Sequence, residues 1–76
     1  MPLHWNRHPD PERPGVYYYR ATLNGGRSVI VQEVSIGVWG WLIVNESDGA
    51  PLEMRNGFDD SDRAINHLGA HLNDEA

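Results

Sequence analysis

The chain has 76 residues, no cysteine, a formal net charge of −5 and a pI of about 5.1. That length holds one domain, because a second would have too little core, and only about 60% of the unfolded surface is buried at this size. The missing cysteines exclude disulfide stapling, thiolate metal sites and cysteine nucleophiles, and they suit a reducing compartment.

Residues 1–15 read as an irregular N-terminal arm, because Pro2, Pro9, Pro11 and Pro14 oppose a stable helix or a central strand. A first strand follows from Gly15 to Leu23. Tyr17, Tyr19, Ala21 and Leu23 fall on one face, and Val16, Tyr18, Arg20 and Thr22 on the other. Asn24-Gly25-Gly26 is a hairpin signal, since these residues accept the positive φ that tight turns require. The second strand runs from Arg27 to about Ile36, and Gly37 permits the next reversal. The third strand, Val38 to Asn45, is apolar on both faces. Trp39, Trp41 and Ile43 point one way; Val38, Leu42 and Val44 point the other, with Gly40 between them.

Glu46 to Pro51 is a loop of turn formers, and a short edge strand, Leu52 to Arg55, ends at Asn56-Gly57. A helix starts near Asp59 or Asp60, either of which can cap free N–H groups, and runs to about residue 73. Ala64, Ile65, Leu68 and Leu72 form its apolar stripe. Gly69 lies on that stripe, and close approach to the sheet would explain it. The predicted architecture is α+β within one domain, residues 1–76. It comprises the arm (1–15), an antiparallel meander of three to four strands (16–55) and one C-terminal helix (59–73) packed on one face. This order of elements is similar to that of several small bacterial and phage domains.

No segment approaches the roughly 20 apolar residues of a membrane helix. The first residues lack the basic and apolar regions of a signal peptide, so a cytoplasmic protein is expected. Enzyme chemistry finds no support. Ser28, Ser35, Ser47 and Ser61 lack a nucleophile elbow, and no Gly-rich phosphate loop is present. His4/His8 and His67/His71 are i,i+4 pairs. His67 and His71 share a helix face, and Asp74 or Glu75 could add an oxygen ligand, but zinc needs at least three protein ligands. No metal and no cofactor is therefore assigned. Protonation of both His67 and His71 would make them repel, a milder route to pH sensitivity.

The charge is uneven. Residues 1–28 carry four Arg against Asp10 and Glu12, for +2. Residues 29–58 carry Arg55 against Glu33, Glu46, Asp48 and Glu53, for −3. Residues 59–76 carry Arg63 against Asp59, Asp60, Asp62, Asp74 and Glu75, for −4. Nucleic-acid binders usually carry a basic patch, so this balance favours a protein partner with a basic surface.

One helix can cover only one face of the sheet, so the second awaits a partner, a second copy in a homodimer, or the folded-back N-terminus. The expectation is a non-enzymatic protein-binding module. Trp39, Trp41, Tyr17 and Tyr19 share one face as its aromatic anchors, and Asp59, Asp60 and Asp62 steer a basic partner. Its sharpest form is a phage- or mobile-element-encoded inhibitor of a host nucleic-acid-handling complex. Many anti-CRISPR proteins are similar in size and charge, being small, cysteine-poor and often acidic. The alternatives are a metal- or ligand-binding domain using His67/His71, a single-stranded nucleic-acid binder using the aromatic face, and a plain core role for the tryptophans. Trp41→Ala separates the readings. Loss of about 2 kcal/mol or more of binding marks an interface residue, whereas unfolding of a monomer marks a core residue.

Overall fold

The computed structural model describes residues 3–75, with the side chains of residues 74 and 75 outside the description. Five strands and one helix follow in order: β1 (Asn6–Pro9), β2 (Tyr17–Leu23), β3 (Arg27–Ser35), β4 (Val38–Asn45), β5 (Pro51–Phe58) and α1 (Ser61–Glu75). The strands form one antiparallel meander in the order β1-β2-β3-β4-β5. The α+β class and the C-terminal helix hold, but the sheet has five strands rather than three to four.

The additional strand, β1, comes from the arm read as irregular. It pairs Asn6 with Arg20 and Pro9 with Tyr17, at the sheet edge where a proline removes no interior ladder bond. The Pro-rich segment behind it is a folded connection. The Asp10 N–H donates to the Val16 carbonyl at 2.9 Å, and Asp10 Oδ1 accepts the Glu12 N–H at 2.9 Å. Arg13 then ties this connection to the far end of β3, donating to the Glu33 carbonyl at 2.6 Å and to Asp10 Oδ2 at 3.1 Å. Glu33 also accepts the Gly37 N–H at 3.1 Å, fixing the β3–β4 turn.

The turns follow the glycine logic: Gly25, Gly26 and Gly37 have φ of 77°, 72° and 76°. β5 is longer than the short edge strand expected from the sequence. Against β4, Leu52 and Gly57 are skipped in the pairing, while Glu53 to Asn56 run in regular register. At Gly40 a side chain would strike Asn56 and come within 2.7 Å of the Arg55 carbonyl, so this glycine is required by the approach of β5.

The helix begins where acids can serve it. Asp60 Oδ1 accepts the Arg63 N–H at 2.8 Å, the geometry of an N-cap, and Asp62 stands in the first turn. α1 packs across β3, β4 and β5. The core between helix and sheet is Ala21, Leu23, Val29, Val31, Trp41, Ile43, Ala64 and Leu68. Half-buried Leu3, Trp5, Tyr19, Trp39, Phe58, Ile65 and Leu72 surround it. Gly69 does not lie close to the sheet as expected, because a Cβ there would meet nothing within 4 Å.

Three outcomes follow from these contacts. Gly69→Ala raises stability by about 0.5–1 kcal/mol in urea unfolding, since helix propensity improves and space is available. Gly40→Ala lowers it by about 1–3 kcal/mol in the same assay, through forced displacement of β5. The Glu12 N–H and the Arg13 guanidinium hold the Asp10 carboxyl below its ordinary 3.8. Its contribution to stability is therefore present above the unfolded-state carboxylate value and is lost as pH falls through the lower folded value. Carboxyl NMR titration should place Asp10 below 3.8, and Asp10→Asn should remove that component of acid unfolding.

Candidate functional site

Cross-strand register divides the sheet into two chemically different faces. The helix-side face carries Tyr19-Val31-Trp41-Arg55 as one row across β2 to β5, with Val29, Ile43 and Glu53 in the next. Tyr17 and Tyr19 therefore do share a face with Trp39 and Trp41, and the Tyr19 and Trp39 rings lie 6.4 Å apart. That face, however, is the one the helix covers.

Trp41 is 1% exposed, so its ring is a core element of this chain and not a surface anchor. Two turns of helix lie on it. Its indole N–H donates to His67 Nδ1 at 3.2 Å, and the His67 and His71 rings stand 6.0 and 5.1 Å from it. Arg55 lies 5.9 Å from the same ring, and Phe58 packs against His67 at 5.0 Å. The reason is geometric: residues four apart on a helix share a face, and here that face carries both imidazoles onto the indole. Trp39 is half-buried at the margin of the core. Tyr17 is 39% exposed and lies under the Arg7 guanidinium at 4.5 Å.

One ring nitrogen of each helix histidine is engaged, His67 Nδ1 by Trp41 and His71 Nε2 by Glu53, and the described residues contain no cluster of three or more metal-ligating side chains. Asp74 and Glu75, considered as further ligands, have side chains outside the described residues. Asp59, Asp60 and Asp62 are exposed at the start of α1, with Asp60 occupied as the cap.

The open face is the one the sequence left without a cover. Its central row is Arg20-Ile30-Leu42-Met54, read across β2 to β5. Ile30 and Leu42 are half-buried, and Met54 is 50% exposed. Leu52, also 50% exposed, and Val34, 44% exposed, are skipped in the strand pairing and add apolar surface on β5 and β3. At one end the face is closed. The ion pair between Arg20 and Glu46, 3.3 Å, reaches over β3 where Ser28 is fully buried and Val44 is 7% exposed. The Glu46 N–H bond to the Gly26 carbonyl, 2.8 Å, holds that end together. Of the described N-terminal residues, Leu3 and Trp5 pack against the core beside the helix rather than on the open face. There they line a groove of about 620 Å³ with Ile65, Asn66, Gly69, Ala70, Leu72 and Asn73. Gly69 keeps that groove open.

The apolar character of Leu42 was visible in strand alternation, but Met54 and Leu52 were not assigned, because their alignment with Leu42 depends on the β4–β5 register. Among the described residues, no helix is long and apolar enough to cross a membrane.

Trp41→Ala is expected to cost about 3–5 kcal/mol of folding stability, the range for deleting a buried aromatic side chain. In a chain of this size that should abolish the cooperative thermal transition. Trp41→Phe keeps most of the packing but strands His67 without its donor, and should cost less in the same melt. Comparison with family models, with curated proteins and with solved structures found no match for this chain.

Proposed function

We propose that this chain is a non-enzymatic protein-binding module that docks through the open face of its sheet. The observation that carries this reading is the Ile30-Leu42-Met54 row, apolar and partly exposed on the face opposite the helix. Contiguous apolar surface bounded by polar residues is characteristic of interaction sites. Gln32, Thr22 and the Arg20–Glu46 pair supply that boundary here. The anchors are accordingly Leu42 and Met54, with Trp41 acting beneath them as the part of the core that keeps the sheet in shape.

The partner presents an apolar patch beside basic groups. Asp59 and Asp62, exposed at the head of the helix, contribute to the negative field that speeds such an encounter. In its narrower form the module is a phage- or mobile-element-encoded inhibitor of a nucleic-acid-handling complex. The net charge of −5 suits competition with a phosphate polyanion for a basic surface. A single-stranded nucleic-acid platform is less favoured, because Trp41 is enclosed and the overall charge repels phosphates.

The test compares the wild-type chain with Leu42→Lys, both immobilised and exposed to lysate of the native host. Proteins retained by the wild type should be lost, or bind at least tenfold more weakly, with a Leu42→Lys variant of unchanged circular dichroism. Equal retention by the two overturns the docking face. For any captured protein, reversal of Asp59 and Asp62 should slow association, and the effect should shrink as salt rises.

A further inference from the structure

We propose that β5 pairs antiparallel with β5 of a second copy about a two-fold axis at Met54, joining two five-stranded sheets into one of ten strands. The inference goes beyond the docking reading and does not need it; in the paired form Leu42 is the anchor that stays open to another protein. Its starting point is the contrast between the two edges of the sheet. β1 is only four residues long, and so short an edge strand offers little for further pairing. β5 is eight residues long and has a regular stretch, Glu53 to Asn56, between the two residues that its pairing with β4 skips.

Charge complementarity selects the occupant. Glu53 and Arg55 both lie on the helix-side face, opposite Ile43 and Trp41, and they flank Met54. A two-fold axis normal to the sheet at Met54 keeps both helices on one face and sets each Glu53 opposite the other copy's Arg55. The same axis moved to Glu53 or to Arg55 sets like charges against each other, which is destabilising. Only the Met54 register of these three is self-complementary. Within one chain Arg55 turns back on its own strand, donating to the Met54 carbonyl at 2.6 Å. A second copy offers it a carboxylate instead, and Glu53 can keep His71 on one oxygen while accepting Arg55 on the other.

The opposite face agrees with the same register. The row Arg20-Ile30-Leu42-Met54 is capped by a charge at its β2 end and is apolar where it meets the β5 edge. Pairing at Met54 continues that row into its own copy, so the half-exposed Met54 side chains cover each other.

The absence of native cysteine allows a direct test. Opposed residues of antiparallel strands have Cα atoms about 4.5–5.5 Å apart, within the span of a disulfide. Met54→Cys should therefore cross-link to itself under mild oxidation. Leu52→Cys is the control: it is equally exposed, at 50%, but its own copy would stand about 13 Å away in this register. Cross-linking at least tenfold faster for Met54→Cys supports the proposal; equal rates, or a faster Leu52→Cys, overturn it. Sedimentation equilibrium at low salt gives a second readout. Wild type should dimerise, Glu53→Arg and Arg55→Glu should each weaken the dimer at least fivefold, and the double reversal should restore it. A wild-type chain that stays monomeric at millimolar concentration overturns the proposal. If either reversal unfolds by circular dichroism, the cysteine rates decide.

Discussion

The packing of Trp41 beneath α1 is the constraint on which the rest of the molecule depends. A 15-residue helix in water is marginal by itself, and α1 carries two asparagines and a glycine that weaken it further. It persists because its apolar stripe is buried, and the largest side chain it buries is Trp41. The contact is also directional. The indole N–H meets His67, and His71 one turn later lies over the same ring while reaching Glu53 on β5. Two polar contacts on one helix face fix both the rotation and the axial position of α1, which apolar packing alone would leave softer.

That commitment divides the sheet. With Trp41 and Ile43 enclosed, the helix has no further surface to offer, and the opposite face is left with whatever the strands themselves provide. At the β2–β4 end they provide a cover: the Arg20–Glu46 pair and the loop after β4 bury Ser28 and Val44. At the β5 end they provide none, and Met54 and Leu52 remain half-exposed. The asymmetry follows from chain path. Glu46, next after β4, reaches Arg20 across β3, whereas β5 has a neighbour on one side only.

The N-terminal segment shows how prolines can be used rather than merely tolerated. Pro9 ends a short edge strand, and the prolines beyond it bend the chain into a connection that Asp10 and Arg13 close by hydrogen bonds. Arg13 links this connection to Glu33, and Glu33 links onward to the β3–β4 turn. Two turns far apart in sequence are thus held by one cation and one carboxylate. The segment upstream of β1 sends Leu3 and Trp5 to the flank of the helix, where Gly69 leaves room for a groove.

The local code was legible in the chain itself. Turns at Gly25-Gly26 and Gly37, strand alternation through Val38 to Asn45, and the Asp60 cap are all set by backbone sterics and nearest-neighbour hydrogen bonding, which depend on residues close in sequence. So was the count of two apolar faces against one helix. Which face the helix takes was not legible; it became visible only in the structure, where Trp41 meets His67 and His71 across 26 and 30 positions. Nor was β1, since edge pairing of a Pro-rich segment depends on the partner strand and not on its own propensity. The row from Ile30 to Met54 exists only once three strands are in register. Composition and spacing determined that a small α+β meander would have a face left over; tertiary packing decided that this face carries Leu42 and Met54 rather than tryptophan, because the helix buries the face on which Trp41 stands with Val29, Val31 and Ile43, the larger removal of apolar surface from water.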